Sequence, residues 1–186
     1  MINFLTQIDA SEWIKQGKIL IYPTEGVWGI GCDALNEFAV SRIYDLKKRP
    51  LDKSFIILCH NINVMNKFIK PLTDEETNFI LSKRGEPVTF LYNYDKENTP
   101  YHMQNNSGRL AIRVSTYYHT KTLLEALNKP IISSSANISG SNYLSDIDKI
   151  KKDFDYKDVA FYDKPLGDLK KPTPIIDVHS QEVIRE

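Results

Sequence analysis

The apolar positions of the chain fall into short continuous runs that alternate with stretches of helical spacing. Runs rich in β-branched and aromatic residues predict strands at 18–23, 55–59, 87–92, 109–114, 130–133, 159–162, 174–178 and 182–185. Apolar residues at intervals of three and four predict helices at 10–16, 37–49, 61–69, 74–84, 117–127 and 146–153. This alternation of strands and helices predicts an α/β fold.

The segment 18–59 organises the prediction, because it contains two strand patterns and the helix between them. Pro23 ends the first strand, and three glycines at 26–31 predict a loop whose backbone can turn tightly and approach a ligand. Asn36 is placed to cap the helix, and Pro50 prevents its continuation. Two strands joined by one helix predict a right-handed crossover with parallel pairing.

A cationic cluster closes this helix. Lys47, Lys48 and Arg49 occupy its last turn, and Lys53 follows just before the next strand. Basic side chains at this end complement the helix dipole, so a solvated helix end is one interpretation. Binding of an anionic ligand is the other, and the polar loop after the first strand favours it.

Two arginines share one face of the predicted strand at 109–114. The period of two places Arg109 and Arg113 on one side, with Leu110 and Ile112 on the other. An edge strand with a solvated face and an anion-binding face are both consistent with this pattern. Arginine suits the second interpretation because its planar fork binds carboxylate or phosphate through two donors.

A serine-rich tract, 134–140, directly follows the apolar strand at 130–133. A flexible linker has a similar composition. The short length of the tract and its place at a strand exit favour a polar binding loop, whose hydroxyl and N–H groups suit phosphate oxygens.

Length and charge narrow the class of protein. The 186 residues fit a single domain, 1–186. The basic and acidic residues are equal in number, 24 each, which excludes a positive electrostatic field over the whole protein that would attract nucleic acid. Cys32 and Cys59 are expected to be small buried hydrophobes in a reducing compartment. The four histidines have no metal-ligand spacing, so no protein-ligated metal is expected. No secretory signal or membrane span is evident, which predicts a cytoplasmic protein.

Five segments, in order, carry a resemblance to a known family. They are YPTEGVWGIGCD, KKRPLDK, GEPVTFLY, GRLAIRVS and SSSANISG. Together they resemble the YrdC/TsaC family, the threonylcarbamoyl-AMP synthases, in its short bacterial form. The resemblance covers most of the chain and implies a single-domain, open, twisted mixed sheet with flanking helices and a concave basic groove.

The resemblance also implies an activity. Members of the family combine L-threonine, bicarbonate or CO₂, and ATP with Mg²⁺, and release threonylcarbamoyl-AMP and pyrophosphate. A tRNA threonylcarbamoyl transferase then uses the product to make t6A next to the anticodon. One alternative is a non-enzymatic module that binds tRNA or other RNA in the same groove. Another is carbamoyl phosphate chemistry, as in the related domain of hydrogenase-maturation proteins.

The resemblance assigns residues to the site. The family's KxR element corresponds to the predicted catalytic residues Lys47 and Arg49. The predicted ATP contacts are Arg49, Lys53, Arg109, Ser135 and Asn137. The predicted threonine pocket is lined by Thr24, Gly26, Arg113 and Ser133.

Three positions depart from the family pattern. Some relatives have threonine in place of Gly26 and histidine in place of Leu58, and both positions bear on the threonine pocket. Relatives also carry Gly-Arg in the late segment where this chain has Lys-Lys-Pro-Thr at 170–173. Lysine there supplies charge for the nucleotide without the guanidinium fork.

Overall fold

One mixed β-sheet with helices on both faces forms the framework of the protein. The computed structural model describes residues 3–141, 146–169 and 173–185. The strands in these ranges are β1 (Asn3–Leu5), β2 (Ile19–Pro23), β3 (Trp28–Asp33), β4 (Ile56–Cys59), β5 (Thr89–Asn93), β6 (Arg109–Val114), β7 (Ile131–Ser135), β8 (Val159–Tyr162), β9 (Ile175–Asp177) and β10 (Val183–Arg185). The helices are α1 (Gln7–Lys15), α2 (Glu37–Lys47), α3 (Asp74–Ser82), α4 (Tyr118–Leu127) and α5 (Ile147–Asp153), with 3-10 turns at Ile62–Met65 and Tyr101–Met103.

The strand order in the sheet is β1-β8-β2-β3-β7-β4-β6-β5-β9-β10. Strands β1, β8 and β2 are parallel, as are β4 with β6 and β5 with β9. The pairs β2–β3, β3–β7, β4–β7, β5–β6 and β9–β10 are antiparallel. The predicted open mixed sheet with flanking helices is therefore confirmed.

The predicted crossover between β2 and β4 was wrong. The glycine-containing segment expected to be a loop forms strand β3, antiparallel to β2, and only a tight turn at 24–27 separates the two. Glycine weakens a strand signal because it has no side chain to pack, which is why the pattern favoured a loop. Strands β3 and β7 then separate β2 from β4, which run in opposite directions.

This reversal brings several predicted site residues to one edge of the sheet. Strand β2 ends there at Pro23 and β7 ends there at Ser135, while β4 and β6 begin there at Ile56 and Arg109. The turn with Thr24, the loop with Lys53 and the serine-rich tract all leave the sheet at this edge.

The two faces of the sheet differ in chemistry. One row of cross-strand partners, Cys32, Ile132, Ile57, Ile112, Phe90 and Ile176, belongs to the larger core, which also contains residues of α2 and α5. We call this side the α2 face. The neighbouring row, Gly31, Ser133, Ile56, Ala111, Leu91 and Asp177, points the other way. On this second side, the polar face, α1 and α4 pack around Leu20, Tyr22 and Ala160.

The start of α2 was predicted correctly, and its end lies two residues before the predicted one. The Asn36 side chain caps α2 by accepting from the Ala39 N–H at 3.1 Å, as predicted. The helix stops at Lys47 because Lys48 adopts a left-handed conformation, with a φ of 49°. The helix predicted at 61–69 is only the short 3-10 turn, which still buries Met65 and Phe68.

Candidate active site

Lys47 joins the cationic cluster to the serine-rich tract. Its side chain is buried, with 1% exposed, although it is formally charged. The Nζ donates to the backbone oxygens of Ser135 at 2.5 Å and Asn137 at 2.6 Å. In return, the Ser139 N–H donates to the Lys47 carbonyl at 2.9 Å. The helix end and the tract thus form one hydrogen-bonded unit.

The side chains of this tract are also mutually bonded. Ser135 Oγ donates to Asn137 Oδ1 at 2.5 Å, and Asn137 Nδ2 donates to the Ser141 carbonyl at 2.5 Å. The predicted KxR and SxN elements therefore meet in space. Lys47 fixes the backbone conformation of the tract by donating to the carbonyls of Ser135 and Asn137.

Arg49 holds the loop before β4. Its Nε donates to the Lys53 carbonyl at 3.0 Å, its Nη2 donates to the Ser54 carbonyl at 2.7 Å, and the guanidinium lies 4.8 Å from the centre of the Phe55 ring. The Lys53 side chain itself is exposed at the sheet edge. Arg49 thus fixes the backbone from which Lys53 projects.

Arg113 lies in a buried polar cluster on the polar face. Only 8% of the residue is exposed, and its Nη1 donates to Thr173 Oγ1 at 3.1 Å. Its Nη2 lies 3.6 Å from Glu25 Oε2. Arg185 Nη2 donates to the Thr173 carbonyl at 2.9 Å. Burial, and then the charge of Arg113, lower the pKa of Arg185, which places the two guanidinium groups close together.

Tyr22 and Ser133 form the floor of this cluster. Tyr22 is fully buried, and its hydroxyl donates to Ser133 Oγ at 2.6 Å. The ring crosses β3 to reach β7, which requires glycine beneath it: a Cβ at Gly29 would lie 2.8 Å from the ring, and one at Gly31 would lie 3.1 Å from it. Burial raises the pKa of Tyr22, so its hydroxyl remains a donor.

Arg109 is turned towards a different partner. Its Nη1 pairs with the carboxylate of Asp177, a residue that is only 1% exposed. Arg109 and Arg113 therefore do share a face, as predicted, but they bind separate groups. The interpretation of that face as merely solvated was wrong for Arg113, which is buried.

A backbone segment, 163–169, crosses the turn between β2 and β3. The Gly167 N–H donates to the Thr24 carbonyl at 3.0 Å, and the Leu169 N–H donates to the Glu25 carbonyl at 2.7 Å. Gly26 permits this approach, since a Cβ there would lie 1.8 Å from the Leu169 oxygen. Gly26 thus contributes close packing beside Glu25. Lys170, Lys171 and Pro172, singled out in the sequence, lie outside the described residues.

A separate cavity of about 820 Å³ lies on the α2 face. Its walls include Tyr44 and Phe55 on one side and Met103 and Gln104 on the other. None of the ten predicted site residues, all within the described ranges, lines it. The polar cluster and this cavity are distinct features.

Sequence patterns missed three contributors to the cluster: Tyr22, Thr173 and Arg185. The resemblance included Glu25 only as part of the loop from Thr24 to Gly26. Tyr22 and Arg185 belong to apolar strand runs, and nothing local distinguishes them from core or edge residues. The adjacent Pro-Thr-Glu-Gly turn was the one usable signal for Glu25. Cys32 and Cys59 are buried free thiols, as predicted.

The environment of Lys47 predicts a pH-dependent stability. Burial, with a smaller contribution from the charge of Arg49, lowers the pKa of Lys47 to about 7. An unfolded lysine titrates near pH ~10.4, so between these values the unfolded chain binds more protons than the folded chain. The free energy of unfolding should therefore gain on the order of 5 kcal/mol from this group as pH rises through that window.

Urea denaturation at several pH values above ~7 checks this prediction. Lys47→Met should lose this part of the slope, and comparing it with the wild type cancels the other titrating groups. Parallel pH profiles of the two proteins would contradict it.

Sequence comparison finds relatives along the whole chain. The family model Sua5_yciO_yrdC, described as "Telomere recombination", matches residues 12–186. The chain is similar to the threonylcarbamoyl-AMP synthase of Aliivibrio fischeri, with 31% identity over 188 aligned residues and 100% of both chains covered. It is 33% identical over 175 residues to the protein of the same name from Pseudoalteromonas translucida, covering 92% of each.

A solved structure that contains L-threonine is among those similar to this chain. The chain is similar to P. abyssi Sua5 complexed with L-threonine, with a TM-score of 0.82 and 27% identity. The match covers 95% of this chain and 54% of that one, so this chain spans about half of that protein. In the part of the chain that the structure describes, no helix combines the length and apolarity needed to cross a membrane. The family model and the full-length relatives confirm the resemblance seen in the sequence: the chain belongs to the Sua5/YciO/YrdC family.

Proposed function

We propose that the protein is a threonylcarbamoyl-AMP synthase. It forms threonylcarbamoyl-AMP and pyrophosphate from L-threonine, bicarbonate or CO₂, and ATP. The names of the relatives in A. fischeri and P. translucida support this activity. They do not favour the alternative of a non-enzymatic RNA-binding module.

The observation that carries the proposal is the buried cluster of Arg113, Ser133 and Glu25 beside the tract held by Lys47. The guanidinium of Arg113 is the group best suited to a carboxylate, because it offers paired donors in a desolvated place. Ser133 and Ser135 lie on the same side of β7, about 7 Å apart along the strand. A small amino acid bound at Arg113 would therefore lie next to the proposed nucleotide loop.

The nucleotide end is assigned to the sheet edge. Lys53 and Ser135 supply the charge and hydroxyl for ATP phosphates, with Arg109 and Asn137 as further contacts, and Arg49 positions Lys53. Mg²⁺ enters with ATP as part of the substrate, since this hard cation prefers phosphate oxygens and water.

The chemistry requires no protein nucleophile. The threonine ammonium first gives a proton to solvent, and the free amine bonds to the carbon of CO₂ and loses a second proton to form a carbamate. With bicarbonate the amine forms the same carbamate and water leaves. A carbamate oxygen then bonds to the α-phosphorus of ATP, the bridging bond to the β-phosphate breaks, and pyrophosphate leaves. The protein contributes by holding the labile carbamate in line and by stabilising the negative charge that develops.

The product is an activated acyl donor for tRNA. We assign its use to a tRNA threonylcarbamoyl transferase that makes t6A next to the anticodon. Because ATP, threonine and tRNA meet in the cytoplasm, the reaction belongs there.

Pyrophosphate release tests the proposal. With ATP and Mg²⁺ present, release should require both L-threonine and bicarbonate, and omitting either should reduce it to background. Equal release without threonine, or no release under any condition, would contradict the proposed activity. Salt-dependent RNA binding without turnover would instead favour the RNA-binding alternative.

A further inference from the structure

The carboxylate of Glu25 is buried without a hydrogen-bond partner. Both of its oxygens are inaccessible to solvent and accept no hydrogen bond from the described part of the protein. The side chain is 12% exposed, and the nearest cationic atom, Arg113 Nη2, lies 3.6 Å from Oε2. Burying a carboxylate in this way is costly unless another group pairs with it.

Backbone contacts, and not a partner for the carboxylate, hold Glu25 in this position. The Leu169 N–H donates to its carbonyl at 2.7 Å, and Gly167 packs so closely that a Cβ there would lie 2.4 Å from the same oxygen. On the other side, Thr24 Oγ1 donates to the Val27 carbonyl at 2.7 Å and closes the turn. The fold thus presents this carboxylate to the cluster at an energetic cost.

Arg113 has a matching orphan group. Its Nε is buried and donates no hydrogen bond within the described residues, whereas its Nη1 bonds to Thr173. A donor and a carboxylate that both lack a hydrogen bond therefore lie side by side, joined only by the 3.6 Å ion pair between Nη2 and Oε2. Buried polar groups that lack partners in a folded protein call for an explanation, and a bound ligand is a common one.

We propose that Glu25 binds the ammonium group of the substrate while Arg113 binds its carboxylate. The pair then recognises an α-amino acid as a zwitterion, with each charge of the ligand paired to the opposite charge of the protein. This inference rests on the proposed function and assigns the residue that selects an amine. The same contact orients the nitrogen that becomes the carbamate.

Selectivity against ligands without an amine follows. An analogue of threonine without the amine should bind poorly, because it leaves the buried Glu25 carboxylate without a hydrogen-bond donor. Replacing the amine of threonine by a hydroxyl, as in 2,3-dihydroxybutanoate, should weaken binding to the wild-type protein about 10- to 100-fold.

Calorimetric titration of the wild type, Glu25→Gln and the control Glu125→Gln tests the inference. Glu125 is a half-exposed carboxylate on α4, outside the cluster. Glu25→Gln should lose threonine affinity by about 10- to 100-fold and bind the two ligands nearly equally, while the control behaves as wild type. A wild type that binds both ligands equally, or a Glu25→Gln variant that keeps the preference for threonine, would overturn the inference.

Thermal denaturation separates ligand recognition from a structural role. Without threonine, Glu25→Gln should melt below the wild type, because it leaves the buried Arg113 without the carboxylate that lies 3.6 Å from its Nη2. Threonine should then raise the melting temperature of the wild type and not that of the variant. A variant whose melting temperature threonine raises as much as that of the wild type would overturn the inference.

The inference and the proposed function fail in different ways. Threonine-dependent pyrophosphate release by the wild type, together with unchanged threonine affinity in Glu25→Gln, would overturn the role of Glu25 alone. Absence of pyrophosphate release together with amine-selective binding would overturn the activity and support the assignment of Glu25.

Discussion

Replacing Arg113 by lysine should lower kcat/KM for threonine about 10²- to 10³-fold, the range found when one positioned donor is removed from a reaction centre. Lysine keeps the charge but not the fork, and it cannot supply the orphan Nε while also bonding to Thr173. Glu25, now beside a poorly placed ammonium, would remain unpaired. Steady-state pyrophosphate release at varied threonine concentration measures the effect.

Arg42→Lys is the matched control for this substitution. Arg42 pairs with Asp158 at 2.9 Å and lies away from the cluster, so the same chemical change there should leave kcat/KM unchanged. If Arg113→Lys retains threonine kinetics close to those of the wild type, Arg113 does not bind the substrate carboxylate.

Gly26→Ala should reduce kcat/KM for threonine about 10²-fold, because misplacing a substrate-positioning group by about 1 Å can have such an effect. The added Cβ would lie 1.8 Å from the Leu169 oxygen, so the 163–169 segment must move and Glu25 must move with it. Kinetics and limited proteolysis of the segment measure the two consequences.

Gly85→Asn provides the control for Gly26→Ala. Gly85 has a φ of 93° with nothing within 4 Å of a Cβ, and asparagine tolerates positive φ better than most residues. This variant should keep its turnover. An alanine at Gly26 that leaves both turnover and proteolysis unchanged would show that the close contact with Leu169 has no functional role.

The sequence identified separate motifs but not the path of the chain between them. The family resemblance named Lys47 and Ser135 as site residues, and in the structure the Lys47 Nζ donates to the Ser135 carbonyl. Strand β3 was missed because its glycines leave room for the ring of Tyr22 on the neighbouring strand, a reason that the sequence of β3 does not show. Strand propensity is a property of a single residue type. The need for glycine at positions 29 and 31 comes instead from the Tyr22 ring that packs against them.

Glu25 illustrates a second limit of sequence reasoning. Its position in a polar turn suggested a site, but its charge is significant because both oxygens are buried and accept no hydrogen bond within the described residues. That condition depends on the 163–169 segment, more than 130 residues away along the chain. The same segment explains Gly26, since the Leu169 oxygen occupies the space that any larger side chain would fill.

The Arg49 guanidinium donates to the backbone carbonyl oxygens of Lys53 and Ser54, and every amino acid has such an oxygen. These hydrogen bonds therefore do not depend on which side chains follow Pro50. They do depend on how many residues separate Pro50 from β4. Substitutions in this loop should leave these hydrogen bonds intact, although the side chain of Lys53 has its own proposed contact with ATP. Inserting or deleting one residue would move the carbonyls away from the guanidinium.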